Sequence, residues 1–511
     1  MTERRSGVWL WLLAFAGFML IHAGWAFAAP YDGPPDEEQH VLRAAGIMQG
    51  DIIPEDRNQT IPESLDKNNR VDSYGIHHSN CFPMRPTVAA SCAEEPGGDT
   101  TLVRRYVAEA RFNPIYYATV GWPLSFWPEW KGVMSARLIN GALMSAMLAF
   151  AVVAAVRWTR HKALLAGLVA AATPMIAHLG GAINPNGIEI TSGLTLAVAL
   201  IALLHEKRED VNRAAVALAG VSGAVLVTPR FSGVMWLLVI FGVMLVPASM
   251  QRVKYLFRQR IVKVWGGVIV LATVLSAAWT LYTNTAEVAD RDLGYQLKDV
   301  LRSAFMDMWP NITNQMVGVM GWADTLMPRL VYVIWFAVLG FLVLAALVVG
   351  KRVDRWRMIA YFIGTFVPYT AMEIILINQT NWFNQGRYFL PGAVGIPLLA
   401  AHIMAYRLFT AEHFRSMTRL LATLLLPLHF ICLWFTMTRW NSGMVSFNPF
   451  NGSWTPPYGN VLPLVLGLLG VVVLWVMYWR SSQLPKADAG SAGPQQLDNS
   501  EELLPATAGR A

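Results

Sequence analysis

The feature that most limits what this chain can fold into is a recurrence of long apolar runs separated by short basic clusters. The runs fall at approximately 8–29, 132–156, 163–179, 187–204, 213–228, 233–248, 264–283, 329–349, 358–377, 388–406, 420–436 and 460–479. Most approach the roughly 20 residues that cross a bilayer, where only helices and closed barrels satisfy their own backbone polar groups. The sequence therefore predicts an all-α, polytopic integral membrane protein of about twelve transmembrane helices. A composition of 55% hydrophobic and 14% charged residues agrees with that class.

Charge orients the spans. Arg157, Arg160 and Lys162; Lys207, Arg208 and Arg213; Arg252, Lys254, Arg258, Arg260 and Lys263; Lys351, Arg352, Arg355 and Arg357; and Arg407, Arg415 and Arg419 fall on the same side as Arg4 and Arg5. Basic connections stay in the cytoplasm, so both termini are expected there, in a multi-pass protein of the cytoplasmic membrane. The net charge of +7 is spent on these clusters, and no nucleic-acid partner is expected. The first run ends in Ala26-Phe27-Ala28, which resembles a signal-peptidase site; the run is long enough to span and reads as an uncleaved anchor. Either reading puts residue 30 onward outside. The membrane domain is expected over 1–480, followed by a disordered cytoplasmic tail over 481–511 that is rich in Ala, Gly, Pro, Gln and Glu.

With this topology every unusual polar stretch lands on the outer face. The first loop, about 30–130, is the longest, and its middle from Asp51 to Thr101 is expected to be irregular. The stretch Asn113–Trp130 is placed in the interface, anchored by Tyr116, Tyr117, Trp122, Trp127 and Trp130, because counting it as a span would put the next basic cluster on the wrong side. Cys81 and Cys92 share the loop and are candidates for a disulfide if it is extracytoplasmic; Cys432 lies in an apolar run. No zinc spacing, Walker A loop, dinucleotide fingerprint or HExxH is present.

The chemistry concentrates in Gly33-Pro34-Pro35-Asp36-Glu37-Glu38-Gln39-His40, directly after the first span. Carboxylates next to a bilayer are costly to keep, which makes Asp36 and Glu37 candidate catalytic groups. The plainer reading is that they complement the dipole of a helix running to about Gly50. Arg387, within Gln385-Gly386-Arg387-Tyr388-Phe389-Leu390-Pro391, and Arg230, after Thr228-Pro229, are each either a guanidinium fork for a phosphate or a side chain snorkelling to headgroups. In Gly321-Trp322-Ala323-Asp324-Thr325, Trp322 reads as an interfacial anchor, and Asp324 as a cap or as a group holding a metal, acceptor or donor. Glu189 and Glu373 sit in or at the ends of spans, where ionisable groups default to functional candidates.

Pro34-Pro35-Asp36-Glu37 with His40 and Arg43, Asn113-Pro114-x-Tyr116-Tyr117, Gly321-Trp322-x-Asp324-Thr325-x-x-Pro328 and Gln385-Gly386-Arg387-Tyr388-x-x-Pro391 together resemble a bacterial family of predicted membrane proteins of unknown function, itself similar to the GT-C glycosyltransferase superfamily. The resemblance runs from the first helix to about Leu399. It implies a GT-C-like membrane domain with interfacial helices in the first extracytoplasmic loop, and a polyprenyl-phosphate sugar as donor. By position it makes Asp36 the catalytic carboxylate and probable-base candidate with Glu37 beside it, sets Arg387 or Arg230 against the lipid phosphate, and assigns His40, Tyr117, Trp322, Asp324 and Gln385 to acceptor or sugar. His40, one helical turn beyond Asp36, would orient it. Larger members of the superfamily carry a soluble C-terminal domain after the last span and this sequence shows none, so acceptor recognition is expected in the loops.

The implied function is transfer of a sugar, with arabinofuranose and mannose as family-derived guesses, to an envelope glycan, lipid or protein. A single displacement with inversion is simplest, since one base suffices. Charge on the departing phosphate would be neutralised by an arginine or a divalent metal ion; sequence assigns no metal ligands and no further cofactor. Membrane lipids are the remaining partner. The alternatives are a flippase or transporter for lipid-linked glycans, which would need a polar path through the spans, and a non-catalytic envelope assembly partner.

Overall fold

Each apolar run forms a helix, and the computed structural model describes residues 2–66, 81–93, 95–206, 210–246, 248–285, 287–288 and 290–483. Lys207, Arg208 and nearly all of the expected tail lie outside these residues. In chain order the first half holds α1 (Thr2–Ala28), α2 (Glu37–Met48), β1 (Asn58–Pro62), β2 (Leu102–Tyr106), α3 (Pro114–Gly121) and α4 (Trp130–Trp158). Next come α5 (Leu164–Ala171), α6 (Pro174–Gly180), α7 (Pro185–Leu204), α8 (Arg213–Val227), α9 (Ser232–Leu245), α10 (Met250–Arg258) and α11 (Arg260–Tyr282). The remainder holds α12 (Leu297–Ser303), α13 (Trp309–Gly318), β3 (Val319–Met320), β4 (Thr325–Leu326), α14 (Arg329–Val349), α15 (Arg352–Thr380), α16 (Gly386–Ala393), α17 (Gly395–Arg407), α18 (Ala411–Ser442) and α19 (Val461–Ser481).

Among the described residues nine helices are long and apolar enough to cross a bilayer, α16 and α17 counting together, and up to ten if the pair α5–α6, bent by 69°, is one span. The other two expected spans are α8 and α9, of 15 and 14 residues. At 1.5 Å per residue they reach about 22 Å, short of a hydrocarbon core of about 30 Å, which is why the expected twelve full spans are not reproduced. The α5–α6 break follows from Thr173-Pro174, since proline disfavours a helical residue before it. The stretch after Asn113 forms only the short α3 and a 3₁₀ turn, Trp122–Ser125. The fold is otherwise helical except for two small antiparallel ladders, β1 with β2 in the first loop and β3 with β4 around Gly321–Asp324. Cys81 and Cys92 are disulfide-bonded.

Two ends of the helix bundle differ in chemistry. One carries the first loop, the Asn184 corner, the β3–β4 hairpin and the 381–385 loop. The opposite end gathers basic connections: Lys162 donates to Ser481 O at 2.9 Å, Arg252 to Leu203 O at 3.1 Å, and Arg407 to Asp354 at 2.8 Å. Helices α1 and α19 approach closely because both present glycine; a Cβ on Gly24 would meet Pro463 O at 2.9 Å.

The loop-bearing end is fixed by one buried ion pair. Arg137 of α4 and Glu37 of α2, neither with any exposed side-chain surface, are bonded in a two-point contact through the Nε–Nη2 edge of the guanidinium, Nε to Oε1 at 2.7 Å. Arg137 also donates to Ala26 O, Ala29 O and Pro30 O at 2.8–3.0 Å, and stacks over Trp130. Glu37 accepts from Ile183 N at 3.2 Å, and Asn184 Nδ2 donates to Pro35 O at 3.1 Å. The turn leaving α1 is thereby tied to α4 and to the entry of α7. Removing one partner strands a buried charge, so Arg137→Ala is expected to destabilise the protein by about 3–5 kcal/mol, read as a lowered unfolding midpoint in detergent. Glu37→Met with Arg137→Leu should recover a substantial part of that loss; a double variant no more stable than the single one would contradict the pairing.

Candidate active site

Asp36 stands at the start of α2 in the left-handed conformation, φ +62°. Aspartate tolerates that region better than most residues. The consequence is directional: the side chain leaves its own helix, makes no capping bond, and forms an ion pair with Arg387 from 351 residues away. Asp36 keeps 28% of its side chain exposed while Arg387 keeps 4%, so the pair is open on the carboxylate side.

The loop before α16 positions Arg387. Glu373 near the end of α15 accepts from Phe383 N, Asn384 N and Asn384 Nδ2 at 2.7–2.9 Å, which fixes the 381–385 loop. Gly386 N donates to Gln315 Oε1 at 2.8 Å, and a Cβ at Gly386 would lie 2.6 Å from Ile312 O, so only glycine allows α16 to start this close to α13. Arg387 Nη2 reaches Tyr388 Oη at 3.4 Å, and its Nε has no partner among the described residues.

Arg230, in the turn between α8 and α9, is the second cation. Its guanidinium lies between the rings of Phe112, 5.3 Å from the centroid, and Tyr388, 4.9 Å. Among the described residues no carboxylate forms an ion pair with it. Glu189 of α7 is turned toward its neighbours, accepting from Asn186 Nδ2 at 3.1 Å and Ser232 Oγ at 3.0 Å. A cation held by aromatic faces retains its hydrogen-bonding edges for a ligand.

The other residues singled out from sequence divide. His40 Nδ1 bonds Tyr117 Oη at 2.9 Å, and both are buried. His40 N donates to Asp36 O at 3.2 Å, but among the described residues their side chains form no bond, because the left-handed backbone at Asp36 turns its carboxylate off the helical phase that would stack the two. Burial, then the nearby Arg230 and Arg387 charges, hold His40 well below the usual imidazole range, so the ring is neutral at pH 7. Glu37 is enclosed in the Arg137 pair and forms no ion pair with Arg230 or Arg387 among the described residues. Trp322 Nε1 donates to Asp32 O at 2.8 Å, fastening the β3–β4 hairpin to the first loop. Asp324 joins a separate buried cluster, accepting from Arg439 at 2.8 Å, while Arg439 also binds the carbonyls of Phe82, Arg85 and Val88. Gln385 is half-buried beside Arg387, and its backbone, as the residue preceding α16, is what sets the helix start.

Two carboxyl groups were not singled out from sequence. Asp32, φ +57°, is buried and accepts from Glu38 N at 3.2 Å; burial and the Glu38 charge push its carboxyl well above the usual range. Glu109, in the turn between β2 and α3, has an Oε2 shielded from solvent with no partner among the described residues. Burial, then the Asp36 charge, push Glu109 up to about 8. A lone glutamate in Val107-Ala108-Glu109-Ala110 carries no motif that would flag it. No group of three or more His, Cys, Asp or Glu is arranged to hold a metal among the described residues.

Below this cluster an apolar groove of about 630 Å³ runs between α4 and α8, from Trp158 and Ala214 at one end to Tyr116, Thr228 and Pro229 at the other. Its upper end adjoins Arg230. The arrangement defines a polytopic helical membrane protein with an Asp36–Arg387 ion pair, a second arginine that shares the Tyr388 ring with Arg387, and an apolar groove whose lining ends at Pro229, the residue before Arg230. The chain belongs to the family described as "Predicted membrane protein (DUF2142)", whose model matches residues 18–396. No curated protein matches it. It is similar to crystal structures of ArnT from Cupriavidus metallidurans in the apo state and bound to undecaprenyl phosphate, at 13% and 12% identity and a TM-score of 0.42 in each case. These likenesses cover 92% of this chain and 76% and 77% of ArnT.

Because Asp36 occupies one edge of Arg387, removing its charge unmasks an anion site. Asp36→Asn is expected to bind inorganic phosphate about tenfold more tightly than wild type by calorimetry, since an added anion no longer meets a like charge. Equal or weaker binding would show that the two arginines do not share one ligand space.

Proposed function

We propose that this protein is a membrane glycosyltransferase of GT-C type, moving a sugar from a polyprenyl-phosphate donor to an envelope glycan, lipid or protein on the extracytoplasmic face of the cytoplasmic membrane. The observation that carries this reading is the meeting of Asp36 with Arg387, beside Arg230, at the head of an apolar groove. A ligand suited to that combination has an anionic head and a long apolar tail. The groove follows α8 from Ala214 to Thr228, about 21 Å of helical rise. The basic residues at the opposite end and the Cys81–Cys92 disulfide, which suits an oxidising compartment, support this orientation.

In this reading Arg230 and Arg387 take the phosphate, with charge-assisted bonds that strengthen as the leaving oxygen gains charge. The tail in the bilayer fixes the depth of the phosphate, so the outer loops need only grip the sugar. Asp36 accepts the proton of the attacking hydroxyl as the new carbon–oxygen bond forms; the bond from the anomeric carbon to the phosphate oxygen breaks, and the prenyl phosphate leaves with the electron pair. Attack opposite the departing phosphate inverts the anomeric centre. The three larger described cavities are lined mainly by apolar side chains, and the one that reaches His22, His429 and Thr173 is only about 10 Å³, which favours transfer at one face over passage of a polar glycan through the bundle.

The test is sugar transfer by the full chain in lipid vesicles offered a panel of polyprenyl-phosphate sugars and envelope glycan fragments. Asp36→Asn is expected to lower turnover by about a hundredfold or more with folding unchanged. Arg230→Ala should raise the KM for donor by about tenfold. Transport of a labelled lipid-linked glycan across the vesicle with no transfer to any acceptor would replace this reading.

A further inference from the structure

Among the described residues, Glu109 is the one whose carboxyl has a shielded oxygen without a partner. The turn that carries it is held on several sides. Ala108 N donates to Gln39 Oε1 at 2.8 Å, Arg57 Nη1 to Ala108 O at 2.8 Å, and Arg43 Nη2 to Phe112 O at 2.8 Å. From the other side Trp279 Nε1, at the end of α11, donates to Arg111 O at 2.9 Å. A turn fixed by four hydrogen bonds from three separate segments, α2, the residue before β1 and α11, does not leave its one acidic side chain shielded by chance mobility. The groups that act on Glu109 are Asp36 at the head of α2, Arg230 between α8 and α9, Arg57 before β1, and Tyr117 on α3.

We propose that Glu109 is a ligand-binding carboxylic acid of this site, presenting Oε2–H as a hydrogen-bond donor to a phosphate or sugar oxygen of the bound donor. This rests on the donor assigned above. The chemistry follows from the neighbours. Asp36 is matched by Arg387, whereas Glu109 forms no ion pair among the described residues, and two carboxylates near enough to feel each other's charge do not both ionise without cost. The proton therefore stays on the group without a partner, and that group becomes a donor where an ionised one would repel the phosphate. With Glu109 at about 8, the proton is present at neutral pH and lost as pH rises, so ligand binding weakens on the alkaline side.

Two measurements on the full chain in nanodiscs test this. Infrared difference spectra of wild type against Glu109→Gln should show a protonated carboxyl C=O band near neutral pH that disappears by about pH 10. Binding of a prenyl phosphate should be within about threefold of wild type in Glu109→Gln, which keeps a neutral donor, about tenfold weaker in Glu109→Ala, and less sensitive to alkaline pH in Glu109→Gln. Equal loss in both variants, no loss in Glu109→Ala, or no band assignable to residue 109 overturns the proposal. Failure of wild type to bind the prenyl phosphate overturns the donor reading instead and removes the ligand assigned here, while the infrared band still decides whether Glu109 holds a proton.

Discussion

The buried pair of Arg137 and Glu37 is the interaction on which the loop-bearing end depends. An arginine inside a bundle is tolerated only when its charge and its donors are all met, and here one carboxylate and three carbonyls meet them. Those carbonyls belong to the turn leaving α1, so the same guanidinium that neutralises Glu37 also sets where the chain goes next. Glu37 in turn accepts from the entry of α7. With the second residue of the acidic run enclosed, Asp36 before it is left at the edge, in a left-handed conformation that aims its carboxylate at Arg387. Adjacent acids thus have opposite tasks, one holding the frame and one facing the ligand space.

Charge balance explains the form of that space. Asp36 is paired with Arg387, while Arg230, which no carboxylate pairs directly among the described residues, is supported by aromatic rings and feels the nearby Glu189. An arginine without a direct ion pair, next in sequence to the end of an apolar groove, suits an amphipathic anion. Glu373 contributes without entering it, since its carboxylate collects the backbone donors of the loop that presents Arg387.

Much of the frame is legible in the amino-acid sequence, because membrane spans and basic connections are local patterns that need no tertiary knowledge. Proximity of Asp36 and Arg387 could be anticipated only in outline, from both lying on one face. Their direct contact depends on a backbone conformation that the run Pro34-Pro35-Asp36 does not advertise, and the same conformation separates His40 from Asp36. Arg137 was hidden because a single arginine near the end of an apolar run reads as an interfacial residue, and its partner is 100 positions away. Glu109 was hidden for a related reason, as an isolated acid in a turn. The lengths of α8 and α9 were overestimated because hydropathy runs on through residues that close the helix in three dimensions, at Thr228-Pro229 and after Leu245. The β1–β2 ladder pairs segments more than 40 residues apart, of mixed polarity, and carries no local signature.

The account stands or falls on where an anionic lipid binds. The direct measurement is an electron cryomicroscopy structure of the full chain in nanodiscs with a prenyl phosphate. Phosphate density is expected between Arg230 and Arg387, next to Asp36, with the tail descending between α4 and α8. Phosphate bound instead among the basic connections at the opposite end, with the Asp36–Arg387 space unchanged, would contradict it.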